Sequence, residues 1–268
     1  MILRRVACAT ALFVFAIPVV ARQQTQQQAQ PQQGPRPKSQ KEADALKKVI
    51  AAQQAKDWNG EIQAVNDVLE NFADTEYKPL LLNMAMTAAQ QKGDYPQTVI
   101  YGERALQADP NNILSTVMLA EVIAQHTREN DLDKEQSLKK AEDYANKALD
   151  LIKNSTAPPP GVAVPPDQWQ QYKKDLAAQA HDALGQVAML RKNHPQAIDY
   201  YKMALSEASK PDPATMDRLA KAYLDNKQYD DTIATADKVL AVSDAPPVVK
   251  QFAQQLKDQA TKLKSAAK

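Results

Sequence analysis

Lys92-Gly-Asp-Tyr-Pro-Gln-Thr-Val-Ile-Tyr-Gly-Glu-Arg-Ala-Leu-Gln-Ala-Asp-Pro-Asn-Asn112 reads as one complete helix with both ends specified. Asp94 is suited to cap the free N–H groups at the start, and Pro96 falls in the first turn, where no N–H is needed. Gln97 stands three residues after Asp94, the spacing of a capping box. Val99, Ile100, Ala105, Leu106 and Ala108 then recur at helical spacing as an apolar stripe. Asp109-Pro110-Asn111-Asn112 stops the helix, because proline disfavours helical geometry in the residue before it. A second amphipathic run, Leu80 to Gln91, lies ahead of the Gly93 turn. The unit is a helical hairpin of about 34 residues, a length that marks stacked repeats.

The hairpin recurs along the chain. Lys192-Asn-His-Pro-Gln-Ala-Ile-Asp-Tyr-Tyr-Lys-Met-Ala-Leu205 repeats the cap, the proline, the glutamine and the Ala-Leu pair. Lys227 to Leu240 gives another copy, and Leu184 and Leu219 stand 35 residues apart. Asp57-Trp58 through Val68-Leu69 is an earlier copy, and Lys140-Ala141 through Ala148-Leu149 a diverged one. These features resemble the tetratricopeptide-repeat family: Leu184-Gly185, Leu219-Ala220 with Tyr223, Tyr95, Tyr229, Ala197 with Tyr201 and Ala204, and Asp109-Pro110. Departures are Thr98 and Thr232, where the family prefers alanine, and Gly102, where it prefers an aromatic. The resemblance covers roughly residues 42–265. It implies an all-α, right-handed superhelical solenoid of antiparallel helix hairpins.

Composition agrees with helix-on-helix packing. The 268 residues are 44% hydrophobic and 24% charged, with 6% aromatics and only six glycines. A formal net charge of +1 gives no electrostatic case for nucleic acid or an anionic membrane surface. Residues 1–21 have the pattern of a signal peptide: Arg4 and Arg5, an apolar stretch from Val6 to Val20, then Val19-Val20-Ala21 as a small-residue cleavage site. The alternative is an uncleaved membrane anchor, but an apolar stretch of 15 residues containing Pro18 is short of the roughly 20 a span needs. Membrane contact is therefore expected only through this segment, and the protein is expected to be exported, periplasmic or secreted. Cleavage leaves 31 basic and 32 acidic residues and removes Cys8, the single cysteine. Thiol chemistry is thus excluded for the mature chain.

The organisation expected behind residue 21 has five parts. Residues 22–41 are a Gln/Pro-rich disordered spacer. Residues 42–154 carry repeats one to three, with an insertion around His126–Lys134 in the third. Residues 155–167 form a proline-rich excursion that cannot be helical. Residues 168–245 carry repeats four and five, the fourth opening on a long helix, and residues 246–268 form a capping helix.

Nothing in the chain has the spacing of a catalytic or metal site. His126, His181 and His194 show no metal-ligand spacing and no local nucleophile. Asn130-Asp-Leu-Asp-Lys-Glu135 alternates oxygens but lacks the glycine of a calcium loop, and reads as a solvated loop with Asp133 capping the next helix. No enzyme activity, metal or cofactor is implied. Trp58, Tyr95, Tyr200, Tyr201, Tyr223 and Tyr229 recur at equivalent places and read as packing. Trp169 and Tyr172 have no repeat equivalents, so they stand as a candidate aromatic contact for a partner, against packing of the proline segment.

In the family the first helix of each hairpin lines a concave face that binds extended peptides or partner helices. Carried over by register, the resemblance implies a lining of Asn83, Thr87, Gln90, Gln91, Glu121, Gln125, Asp182, Gln186, Asp217, Lys221 and Asp225. This face is polar, amide-rich and slightly acidic. The function expected is a non-catalytic scaffold of the cell envelope that holds a protein or peptide partner of mildly basic character. Two rivals remain: a chaperone or adaptor for exported chains, displaying Met84, Met86, Met118 and Met189, and an accessory subunit of an enzyme complex.

Overall fold

The computed structural model describes residues 35–156 and 165–266. Residues 1–21, read above as a signal peptide, most of the Gln-rich spacer and the core of the proline excursion lie outside the described residues. Among the described residues the chain forms helices only. They are α1 Gln40–Gln54, α2 Trp58–Asn71, α3 Lys78–Gln91, α4 Tyr95–Ala108, α5 Ile113–His126, α6 Lys134–Asn154, α7 Pro166–Leu190, α8 His194–Glu207, α9 Pro213–Asp225, α10 Tyr229–Ala241 and α11 Pro247–Ala266. Successive helices pack as antiparallel pairs, α1 on α2 through α9 on α10. Each second helix also packs on the first helix of the next pair, with α11 closing the stack on α9 and α10.

Local chemistry sets the helix ends. Asp57, Asp94, Asn112, Asn193 and Asp212 each accept a hydrogen bond from the backbone N–H three residues on, satisfying an orphan donor of the first turn. Asp133 occupies the cap position of α6, but its carboxylate receives the Ser137 hydroxyl at 3.4 Å and no backbone N–H. The array starts earlier than the apolar pattern suggests, at Gln40 with Ser39 as its cap. α7 likewise begins at Pro166, inside the stretch read as non-helical. A proline at the first helical position gives up an N–H that would have no partner there.

Four hairpins turn through one left-handed residue: Lys56 at φ 54°, Gly93 at 70°, Lys192 at 61° and Lys227 at 61°. The following N–H then reaches back five residues, as from Gln228 to Tyr223 O at 2.8 Å and from Asp94 to Ala89 O at 2.9 Å, closing the helix in a Schellman arrangement. Glycine takes this conformation freely, whereas a Cβ there is strained. Lys192 also pairs with Glu129 at 3.0 Å, so Lys227 is the cleaner test. Lys227→Gly is expected to stabilise the protein by about 0.5–1 kcal/mol, read as a raised urea midpoint with an unchanged slope.

The largest core cluster runs without interruption from Val49 in α1 to Val187 in α7. α5 packs on α7 directly as well as through α6, so repeats three and four stack across the proline segment. Arg191 adds polar ties there, reaching Glu135 at 3.2 Å and Glu142 at 3.0 Å. The departures from the family pattern have local reasons. Buried Thr98 and Thr232 return their hydroxyls to the carbonyls of Asp94 and Gln228 at 2.8 and 3.0 Å. Gly102 faces Leu119 and Met86, whose side chains fill the space an aromatic would take. No helix among the described residues is long and apolar enough to cross a membrane.

Candidate partner-binding groove

The first helices of repeats two to five bring part of the predicted lining together. Thr87, Gln90, Glu121 and Asp182 line a groove of about 570 Å³. Gln125, Gln186 and Lys221 line a smaller one of about 320 Å³, with Tyr201, Met189 and Phe252, and Arg218 borders both. The other four predicted residues take different places. Asn83 is partly buried and hydrogen-bonded to Asn112 and Ser115 in the next hairpin. Gln91 is exposed outside both grooves. Asp225 accepts from Lys221 at 2.5 Å, one turn away. Asp217 is buried, at 4% exposure, with Oδ1 lacking a hydrogen-bond partner.

Several lining residues had no signal at the level of register. Asp212 caps α9, and Arg218 reaches back across the repeat boundary to Asp182 Oδ1 at 3.1 Å. The Asp182 carboxylate also accepts from Thr215 Oγ1 at 2.9 Å and Gln186 Nε2 at 2.7 Å. Leu205, Ala208 and Ser209, from the end of α8 and just beyond, line the larger groove. They do so because the 25-residue α7 runs well beyond its repeat equivalents. Its Asp175 holds the far end of the hairpin, accepting from the Ser209 backbone N–H at 2.7 Å and hydroxyl at 3.0 Å.

The electrostatics of the larger groove are uneven. Burial pushes the Asp182 carboxyl above its usual range, against the pull of Arg218 and its hydrogen bonds. Glu121 is pushed up chiefly by burial and next by the charge of Asp182. Among the described residues its one direct hydrogen bond is from Gln125 Nε2 at 2.9 Å and no cation forms an ion pair with it, although the more distant charge of Arg218 pulls the other way. Gln90 lines the groove without a hydrogen bond from another described side chain. Thr87 turns its hydroxyl back to Asn83 O at 3.0 Å.

Packing explains most of the remaining candidates, Tyr172 excepted. Trp169 is buried at 3% exposure, which removes it as an exposed contact and leaves Tyr172, 44% exposed, with ring centres 5.8 Å apart. His126 stacks on Tyr95 at 3.7 Å, and His181 Nδ1 lies 2.7 Å from Glu207. Of the four methionines, Met86 is fully buried and Met118 nearly so. Met84 packs against the core and Met189 is half-buried. They make no continuous exposed face. No cluster of His, Cys, Asp or Glu among the described residues has the geometry to hold a metal ion.

No protein-family model and no curated protein sequence matches the chain. Solved structures do. The chain is similar to the thermophilic tetratricopeptide-repeat protein TTC0263 of Thermus thermophilus, with a TM-score of 0.55 and 16% identity over 80% of this chain and 98% of that one. It is also similar to the MamA protein, with a TM-score of 0.53 and 17% identity over 74% of this chain and 90% of that one. At such identities the likeness shows the fold, and the chain has the fold of tetratricopeptide-repeat proteins: an all-α solenoid of stacked helical hairpins.

Proposed function

We propose that the protein is a non-catalytic scaffold of the cell envelope that holds a protein or peptide partner in its concave grooves. The observation that carries this reading is the larger groove itself. It is of ligand-binding size and is walled by side chains from α3, α5, α7, α8 and α9. A surface built from five helices of successive repeats is a feature of the array and not of any one hairpin. The setting in the envelope rests on the signal-like residues 1–21.

In-cell photo-crosslinking tests the reading. A photoreactive residue at Gln90 or Gln125 is expected to trap a small set of partner proteins. The same residue at Asn71 or Asp143, exposed away from both grooves, is expected to trap none of them. Equal yields from both pairs of positions would remove the groove as the binding face. Fractionation of the same cells tests export: the crosslinked species should run with a chain lacking residues 1–21.

A further inference from the structure

The larger groove joins an apolar wall to one carboxylate that no cation contacts directly among the described residues, the Arg218 charge acting on it only from a distance. Leu114, Met118, Ala178, Ala204 and Leu205 supply the wall, and Glu121 stands among them. The other charged groups of the lining are already engaged. Asp182 holds Arg218, with Asp212 Oδ2 3.9 Å from the same guanidinium. Asp175 holds Ser209, and Lys210 reaches out to Asp244 at 2.6 Å. Four carboxylates thus face the groove against two cations, and Glu121 is the acid that neither a cation nor a backbone N–H satisfies.

We propose that this groove takes a lysine or arginine side chain of the partner, its aliphatic stem along the Met118–Leu205 wall and its cationic head on Glu121. The inference rests on the scaffold reading above and specifies the partner chemistry at its site. Long basic side chains have this division, an apolar stem that gains from burial and a charged tip that needs a counter-ion. A half-buried carboxylate beside a second negative charge gains more from a cation than an exposed one does, because the low local dielectric strengthens the pair. A neutral or acidic partner would leave Glu121 without an ion-pair partner or add repulsion.

The test uses purified protein with isotope-labelled methionine methyl groups and three blocked tripeptides, Ala-Lys-Ala, Ala-norleucine-Ala and Ala-Glu-Ala. The expected result is a saturable shift of the Met118 methyl with the lysine peptide, at least fivefold weaker binding of the norleucine peptide, and no saturation with the glutamate peptide. E121Q should bring the lysine and norleucine affinities together without lowering the melting temperature, since the charge it removes is one that burial disfavours. Three outcomes would overturn the proposal: no saturable shift with lysine, equal binding of lysine and norleucine, or unchanged discrimination in E121Q. If crosslinks from Gln90 persist while the lysine preference is absent, the cation site falls and the scaffold reading stands. Loss of the crosslinks themselves would sink the scaffold reading instead.

Discussion

Gly185→Ala is expected to lower the melting temperature by about 4–12 °C, the effect of about 2–3 kcal/mol in a chain of this size. A Cβ on Gly185 would lie 2.4, 2.6 and 2.9 Å from Cε1, Cδ1 and Cζ of Tyr201. The Tyr201 ring is only 1% exposed and is packed with Ala197, Ile198 and Leu219, so a rigid ring and not a flexible chain end has to give way. Replacing a helical glycine by alanine would otherwise stabilise by about 1 kcal/mol, and the clash has to exceed that gain. Gly102→Ala supplies the contrast. Its Cβ would meet Leu119 Cδ2 and Met86 Cε at 2.8 Å and Leu119 Cγ at 2.9 Å. Both side chains are fully buried, but an aliphatic chain adjusts about more single bonds than a tyrosine ring does, and the expected loss is smaller, about 1 kcal/mol. Combining Gly185→Ala with Tyr201→Leu should cost less than the sum of the two single changes. Strict additivity would mean that the ring is not what forbids the methyl group. A Gly185→Ala protein as stable as the parent would refute the packing described for α7 and α8.

The same pair shows what the sequence made legible and what it did not. Helix spans could be read because cap residues, first-turn prolines and apolar period all agree, as at Asp94, Pro96 and the Val99–Leu106 stripe. The Leu184-Gly185 pair carried the resemblance, yet only the structure shows that the glycine makes room for Tyr201. Polar contacts between repeats were hidden, because they join residues more than 30 positions apart. Glu42 is buried at the first turn of α1, where it accepts the Thr75 hydroxyl at 2.6 Å. Asp182 with Thr215 and Arg218 is a second case. The groove was half legible for the same reason. First-helix register found Thr87, Gln90, Glu121 and Asp182, but it had no means of finding Ser209, which comes to the lining through a bond to Asp175 in the extended α7.

Asp217→Asn is expected to raise stability above neutral pH by about 1–3 kcal/mol and to leave it unchanged near pH 4. Asn83, Asp182 and Asp217 hold the same place in their respective first helices. The first two are satisfied by the next hairpin: Asn83 accepts from the Ser115 hydroxyl 32 residues on, and Asp182 from Thr215 33 residues on. The corresponding positions after Asp217 are Val249 and Lys250 in α11, which bring no hydroxyl. Asp217 is therefore buried with Oδ1 unpartnered, and burial pushes its carboxyl up to about 6, only partly offset by Arg218. The folded state consequently holds this proton more tightly than the unfolded chain does. No penalty exists below the unfolded pKa near 4. Stability is lost as pH rises from there through about 6, and the deficit stays constant above it. Asparagine keeps the shape and carries no charge to desolvate, so its advantage should grow across that same window and then level off. Urea midpoints of parent and variant between pH 4 and 8 measure the difference directly. A gap independent of pH, or one that narrows toward neutrality, would show that Asp217 is satisfied by a partner and that the polar ladder between repeats continues into α11.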